Sequence, residues 1–460
     1  MFCKLMRLFG TKDVRQVRTS SCWRTRFIIG LTCALALVWP LPHTIALRNT
    51  LMVVLFAVLG PRTDWARAAR LIQGPLRAPA ILYVSFTLWV LVVATTISPF
   101  EQWSLAAING QWFAAFGALL IGAASAIQED PQIPSLVTRA LLAVLVVQVA
   151  AVDIEGFWVT VYTGAWSHMA RLGGLTAGPG KASYLTNFLL SGLVAELSLR
   201  ITGRRTLPLS GRWLAALLVL CLVSVYFEAM RNELFDVMVF AGFIGVIGYR
   251  AYTRIAPRRA LWLAVGSILT VVIATALDLM LDPRWQTLWA TIPIALDTRH
   301  NLAWLNPHRF PWPRLPNGQP VSQSNYVRIA WIKEGLKSII ANPLGVGYGR
   351  QAFGHALRLR FGNLSTNTGL NNSFLTIAIG TGIPGALLWL GWFGALAQFT
   401  VSRFSGPRAF EARFLLLIVL AFGVRMGLDN VMQNYTLEQF MYFSGLLAPL
   451  VVTERPLEGC

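Results

Sequence analysis

The chain reads as an all-α integral membrane protein, with about 12 transmembrane helices and one large, partly helical external loop. Three observations lead there. Over 460 residues it is 55% hydrophobic and 13% charged, with a mean hydropathy of +0.57, where a soluble protein carries nearer a quarter charged residues. Apolar runs of about 17–25 residues recur from end to end, each long enough to cross roughly 30 Å of hydrocarbon. Lipid leaves backbone groups no partner outside their own segment, so such runs are helical. The third observation is that arginine gathers in every second connection between these runs, the bias that orients membrane helices.

The expected spans lie at about 27–41, 45–60, 79–99, 108–127, 135–152, 182–199, 213–229, 233–249, 260–281, 373–398, 412–428 and 435–452. Lys4, Arg7, Lys12, Arg15, Arg18, Arg24 and Arg26 precede the first. Arg62, Arg67, Arg70 and Arg77, then Arg200, Arg204, Arg205 and Arg212, then Arg250, Arg254, Arg258 and Arg259, then Arg403, Arg408 and Arg413 fill alternate loops, with Arg139 and Arg455 on the same side. That side is therefore cytoplasmic and holds both termini. Four segments follow: a basic cytoplasmic start (1–26), nine membrane helices (27–282), an external loop (283–371), and three further helices with a cytoplasmic end (372–460).

The net charge of +19 does not indicate nucleic acid, because most of the excess lies in short loops that meet anionic headgroups. The basic start before an apolar run resembles a signal peptide, but eleven further spans follow it. Cys3, Cys22, Cys33, Cys221 and Cys460 fall in spans or on the cytoplasmic side, so neither a disulfide framework nor a zinc site is expected. No cofactor or metal site is expected. A transporter is a second class to weigh, but internal repeats and broken helices near the midplane, usual in transporters, are not evident.

The external loop opens with Pro283, Trp285, Pro307, Pro311, Trp312, Pro313 and Pro316, a composition that predicts an irregular but packed segment. A helix follows, capped by Ser324 or Asn325, with an apolar stripe of Tyr326, Ile329, Ala330, Ile332, Leu336 and Ile340. It stops at Asn342-Pro343, since the residue before proline is pushed out of helical geometry. Gly345-Val346-Gly347-Tyr348-Gly349 makes the turn beyond. That run is similar to a potassium-channel filter but lacks the threonine before the valine. The glycine-rich run 173–180 has no strand before it and is no dinucleotide fingerprint; it leads into the sixth span, with Lys181 snorkelling at the interface.

Ionisable residues near a membrane are functional candidates by default. Arg231 stands at the outer junction of the seventh and eighth spans, Arg328 at the start of the loop helix, Arg171 before the glycine run, and Arg425 near the end of the eleventh span. Singly, each has a simpler explanation: Arg425 pairs with Asp429 at i,i+4, Arg231 with Glu228 or Glu233, and Arg328 lies on a solvated face. Together they run against the topological bias. Guanidinium groups bind phosphate through bidentate bonds, so a pyrophosphate headgroup is a natural ligand. His300, His308 and His355 are scattered and read as surface or interface histidines.

Asn371-Asn372-Ser373-Phe374-Leu375, closed by Gly382-Ile383-Pro384-Gly385, marks the return of the loop into the membrane. This pattern resembles the O-antigen ligase and polymerase superfamily of bacterial cell-envelope membrane proteins. In those proteins a His, then Asn, Ser or Gln, then nine residues, precede a Gly-x-x-Gly-like element. Here Asn371 stands in the His position. Arg328 with Trp331, followed by Asn342-Pro343-Leu344-Gly345-Val346-Gly347, resembles the family's loop helix and turn. Arg231 is similar to an arginine just outside a central span, and Arg171 with Gly173 and Gly174 to an upstream Arg-x-x-Gly element.

The resemblance implies a metal-independent glycosyltransferase in the bacterial inner membrane, with the loop in the periplasm. It implies a donor glycan on undecaprenyl pyrophosphate and an acceptor that is a glycan or lipid A-core. Arg231, Arg328 and Arg171 would hold the pyrophosphate, and Asn371 would orient the acceptor hydroxyl. An amide is no base at neutral pH, so His355 or Glu334 would take that role if one is needed. The departure at Asn371 leaves polymerase-type or protein-directed transfer open beside ligase chemistry, which the layout of the loop favours slightly.

Overall fold

The computed structural model describes residues 22–164, 171–176, 178–253, 255–281, 284–366, 369–432 and 434–452. The basic start up to Ser21, and Ala177, Arg254, Pro283 and Arg455 with Cys3 and Cys460, lie outside them. Among the described residues the chain is helical, with two isolated bridges, Thr63–Gln128 and Arg314–Pro320.

The helices are α1 (Cys22–Val38), α2 (Ile45–Leu59), α3 (Trp65–Gln73), α4 (Arg77–Val92), α5 (Glu101–Ala107), α6 (Phe113–Ala126), α7 (Ile133–Thr163), α8 (Pro179–Ile201), α9 (Gly211–Glu228), α10 (Arg231–Tyr252) and α11 (Pro257–Leu281). The loop contributes α12 (Leu288–Leu296), α13 (Gln323–Ala341) and α14 (Ala352–Phe361), and the chain closes with α15 (Ser373–Val401), α16 (Ala409–Leu428) and α17 (Asn434–Val452). A π-helical turn at Ile108–Trp112 joins α5 to α6.

Nine helices among the described residues are long and apolar enough to cross a membrane. The other three expected segments are helical but shorter or more polar. α1 has 17 residues, α16 carries Glu411, Arg413 and Arg425, and α17 carries Glu438 and Gln439. Their charges are met by protein: Glu438 forms an ion pair with Arg48 at 2.9 Å and accepts from Trp39 Nε1 at 3.0 Å. Outer helices leave apolar side chains uncovered, among them Val53, Leu88, Val219, Trp262, Ile268 and Leu387, the surface a lipid solvent requires. α8 is by contrast buried along nearly its whole length.

The expected end of the fifth span at residue 152 is too early. α7 runs on to Thr163, and Asp153, just past the expected end, is buried and accepts from Ser224 Oγ at 2.6 Å. The tightest helix pair is α6 with α17. A Cβ at Gly122 would lie 2.1 Å from Tyr442 O and one at Gly445 2.1 Å from Leu119 O, so small residues set that approach.

The loop has its own core, in which Trp304, Tyr326, Ala330, Phe353 and Leu370 pack with Ile379 of α15. Within α13 the buried row is Tyr326, Ala330, Glu334 and Ser338, while Ile332, Leu336 and Ile340 of the expected stripe are exposed. The cap expected at Ser324 or Asn325 is also displaced. Ser322 precedes the helix in extended geometry, and Asn325 is engaged elsewhere.

The turn after α13 and the glycine element of α15 form one unit. Gly382 (φ 71°) and Pro384 break α15 and free backbone groups, a disruption that must be re-satisfied inside a membrane protein. The loop supplies the partners: Val346 N donates to Ile379 O at 3.0 Å, Gly347 N to Gly380 O at 2.9 Å, and Ile383 N to Pro343 O at 2.8 Å. Ser98 Oγ donates to Val346 O at 2.7 Å, and Tyr348 N donates to Ser104 Oγ at 2.9 Å. A Cβ at Gly345 (φ 97°) would stand 2.4 Å from Gly380 O. The loop is thereby anchored on the membrane helix that carries Asn371 at its mouth.

Candidate functional site

α9 and α10 are joined through Ala229, in left-handed geometry (φ 48°), and Met230, which is extended. Arg231 is the first residue of α10 and so emerges at this break. Its Nη1 donates to Asn325 Oδ1 at 3.0 Å, and its guanidinium lies 5.3 Å from the centre of the Trp285 ring. Asn325 Nδ2 in turn donates to Arg284 O at 2.7 Å. The α13 terminus and the start of the loop are thus fastened to the membrane helix pair.

Arg328 lies three residues after Asn325, close to one face of α13. It is half-buried and makes no hydrogen bond or ion pair among the described residues. Burial pulls its guanidinium pKa below the ordinary value, opposed by Asp429 and reinforced by Arg284 and Arg171; an arginine stays charged at neutral pH regardless. Arg171 reaches the same place from the segment before α8. Leu172 N donates to Phe227 O at 3.1 Å, and Arg171 Nη2 contacts Met230 Sδ at 3.5 Å. Arg328 thus lies close enough to Arg171, Arg284 and Asp429 for their charges to act on it, and Arg231 is fastened to Asn325, one turn before Arg328.

Asp429 connects this cluster to the mouth of α15. Its Oδ2 accepts from Asn232 Nδ2 at 3.4 Å, and its backbone oxygen accepts from Ser373 N at 3.1 Å and Ser373 Oγ at 2.9 Å. Asn372 is the N-cap of α15: its Oδ1 accepts from Leu375 N at 2.9 Å and its Nδ2 donates to Gly427 O at 2.6 Å. Asn371 precedes the cap and is exposed, two residues from the Ser373–Asp429 link.

The two candidate bases lie in other surroundings. Glu334 is buried and accepts from Thr298 Oγ1 at 2.6 Å, Lys337 Nζ at 2.5 Å and Arg360 Nη1 at 2.7 Å. Burial alone would raise this carboxyl; the bonds from Lys337 and Thr298 and the charges of Lys337 and Arg360 outweigh it and hold the carboxyl below its ordinary range. His355 is buried against Phe100 and Trp103, ring centres 4.3 and 4.1 Å away. Burial, then the charge of Arg358, lowers its pKa. None of these contacts joins either residue to Arg231, Arg328 or Asn371.

Beneath the arginines lies a buried polar cluster that the sequence reading did not assemble. Glu228, Glu233, Asp236 and Arg425 are each at most 1% exposed. Thr186 Oγ1 donates to Glu228 Oε1 at 2.8 Å, and Asn187 donates to Asp236. The expected i,i+4 pairing of Arg425 with Asp429 is replaced by bonds from Arg425 to Gly180 O and Ser183 Oγ, with Asp236, Asp429, Glu233 and Glu228 as the surrounding charges. Glu228 and Glu233, the expected partners of Arg231, face this interior. Asn232, Arg284 and Asn325 were also missed as site residues. The one available signal was Arg284-Trp285, a cation beside an interfacial aromatic.

Among the described residues no group of three or more His, Cys, Asp or Glu is arranged to hold a metal. No curated protein matches the chain. A family model described as O-antigen ligase matches residues 216–390, from α9 through the broken part of α15, and so includes Arg231, Arg328, the 342–347 turn, Asn371 and Gly382–Gly385. Over that stretch the chain is similar to the O-antigen ligase family, and the matched residues hold most of the polar groups described above.

Proposed function

We propose that this protein transfers a saccharide from undecaprenyl pyrophosphate to an acceptor hydroxyl of lipid A-core at the periplasmic face of a bacterial inner membrane. In this reading residues 283–371 are periplasmic and both termini are cytoplasmic. The observation that carries it is the convergence of Arg171, Arg231 and Arg328 from three separate elements beside one helix mouth.

Arg231 and Arg328 hold the pyrophosphate, and Arg171 closes on it from the rim. The acceptor oxygen bonds to the anomeric carbon as the bond from that carbon to the pyrophosphate oxygen breaks. Negative charge grows on the leaving group, where preorganised cations lower the barrier most. The hydroxyl proton passes to water. Asn371 orients the acceptor by hydrogen bonding, and no metal or cofactor takes part. Glu334 and His355 would serve as base only after leaving their present contacts.

A second reading is favoured by Asn371 itself. Without a titratable group at that position, the site suits extension of a lipid-linked glycan, as in the polymerases of the superfamily. A lipopolysaccharide gel of a deletion strain separates the two. Loss of all O-chain from core, with lipid-linked polymer accumulating, means ligase; a single-repeat band means polymerase. An unchanged gel and unchanged surface glycan would overturn both.

A further inference from the structure

α8 and α15 both start beside the arginine cluster, at Pro179 and Ser373, and end at Ile201 and Val401. A 23-residue helix such as α8 is roughly 35 Å long, so the connections that follow these two helices meet at the opposite face of the membrane domain. There Arg204 Nη1 donates to Ser405 O at 2.9 Å and Gly406 O at 3.1 Å. Tyr252 at the end of α10 donates to Ile201 O at 2.7 Å, which places three helix ends together.

A cavity of about 300 Å³ opens between these connections, lined by Arg204, Arg205, Thr206, Gly406, Pro407 and Phe410 among others. Two nearby arginines have carboxylate partners, Arg200 with Glu196 at 2.8 Å and Arg408 with Glu411 at 3.1 Å. Arg204, Arg205, Arg403 and Arg413 have none within ion-pair distance among the described residues. Arg413 is only 5% exposed and lies close enough to Arg204 for their charges to repel. Arg205 spends Nε and Nη2 on Leu207 O and Leu209 O, at 3.2 and 2.6 Å, so its fork is fixed while Nη1 remains to bind.

Like charges brought together in a partly desolvated pocket are costly without an anion. Fixed guanidinium forks fit phosphate oxygens. The half-exposed Trp213, in the first turn of α9, and Tyr249, near the end of α10, set aromatic rings at this level, as at a membrane–water boundary. We propose that this cavity binds a phosphate group, that of an anionic phospholipid headgroup in the leaflet opposite the glycan-transfer site. The site is independent of the transfer reaction.

The test uses the full-length protein in neutral detergent and follows its thermal midpoint against added lipid. Phosphatidylglycerol in mixed micelles should stabilise it saturably and phosphatidylcholine should not. Arg204→Ala with Arg205→Ala should weaken the apparent affinity about 25-fold, at roughly fivefold per basic side chain. Arg204→Lys with Arg205→Lys should keep most of it, and unchanged glycan transfer in each variant would show that it is folded. Saturation by inorganic phosphate alone, with loss of any further response to phosphatidylglycerol, would keep the phosphate site and overturn the lipid as its source. An unaltered affinity in the Ala pair, or an equal loss in Arg258→Ala with Arg259→Ala, would overturn the site.

Discussion

Arg231 Nη1 donates to Asn325 Oδ1 at 3.0 Å, a bond that joins the break between α9 and α10 to the first turn of the loop helix. It places a membrane-helix arginine and a loop-helix arginine, Arg328, in one constellation. Arg231→Ala should lower transfer by about 100- to 1000-fold, the usual loss when one preorganised charge donor is removed. Arg231→Lys should recover part of it, since an ammonium lacks the planar fork. Asn325→Ala should cost less, roughly tenfold, because it loosens position only. Turnover of a lipid-linked donor by the purified variants measures all three. Full activity in the Arg231→Ala, Arg328→Ala double variant would eliminate pyrophosphate gripping by this pair.

Orientation is tested separately. In a cysteine-free background, Asn317→Cys and Ser324→Cys should react with an impermeant thiol reagent from the periplasmic side. Asn317 is exposed and Ser324 half-exposed, so both should label. Reaction only after the inner membrane is permeabilised would place the loop on the wrong side for the proposed chemistry.

The architecture was largely legible because hydrophobic length is a local property of the sequence, and each expected segment lies in a helix. What was not legible depended on partners distant in sequence. The partner that lets the buried Asp153 continue α7 past residue 152 is Ser224, some seventy residues on. Asn325 looked like a cap because its residue type favours that place, whereas in the fold it serves Arg231 and Arg284. The link between Asn342–Gly347 and the break at Gly382 could be named as two motifs, but not as one hydrogen-bonded unit. Arg425 with Glu228, Glu233 and Asp236 brings α9, α10 and α16 together, and no spacing rule connects them.

That interior cluster predicts a stability defect distinct from a catalytic one. Arg425→Ala removes the cation among three fully buried carboxyl groups, and breaking a buried ionic arrangement from one side costs about 3–5 kcal/mol. Inserted protein should fall sharply, and the midpoint of thermal unfolding with it. Arg425→Lys should recover part, since it restores charge without reaching every partner. Normal thermal stability in Arg425→Ala would mean that the carboxyl groups need no cation.

Two loop residues give pH signatures of the same sign but in different pH ranges in stability measurements. The Glu334 carboxyl is held below its ordinary range, so its contribution is present above about pH 4.3 and is lost as pH falls through the lower folded value. Glu334→Gln should therefore destabilise at pH 7 and converge on wild type in strong acid. His355 is also shifted down, which favours its neutral form. Below about pH 6.5 the unfolded chain takes up a proton that the folded chain refuses, so stability declines. His355→Phe should flatten the wild-type slope between pH 6.5 and the lower folded value. An unchanged slope in that variant would remove His355 as its source.

Asn371 and Asn372 are adjacent and chemically identical, yet the fold gives them different work. Asn372 caps α15 and ties it to Gly427 O, so Asn372→Ala should cost about 1 kcal/mol of stability from the cap, read as a lower thermal midpoint. Asn371 is exposed ahead of the cap, so Asn371→Ala should leave that midpoint unchanged. If Asn371 orients the acceptor, the same substitution should reduce transfer by roughly 10–100-fold. Asn371→His should be tolerated and should bring a new pH dependence near 6.5, from a ring that titrates there. The comparison of neighbours is the control: a defect in local packing would lower stability and activity together in both alanine variants. Asn371→Ala with full transfer, and Asn371→His with the wild-type pH profile, would show that the acceptor is oriented by other groups.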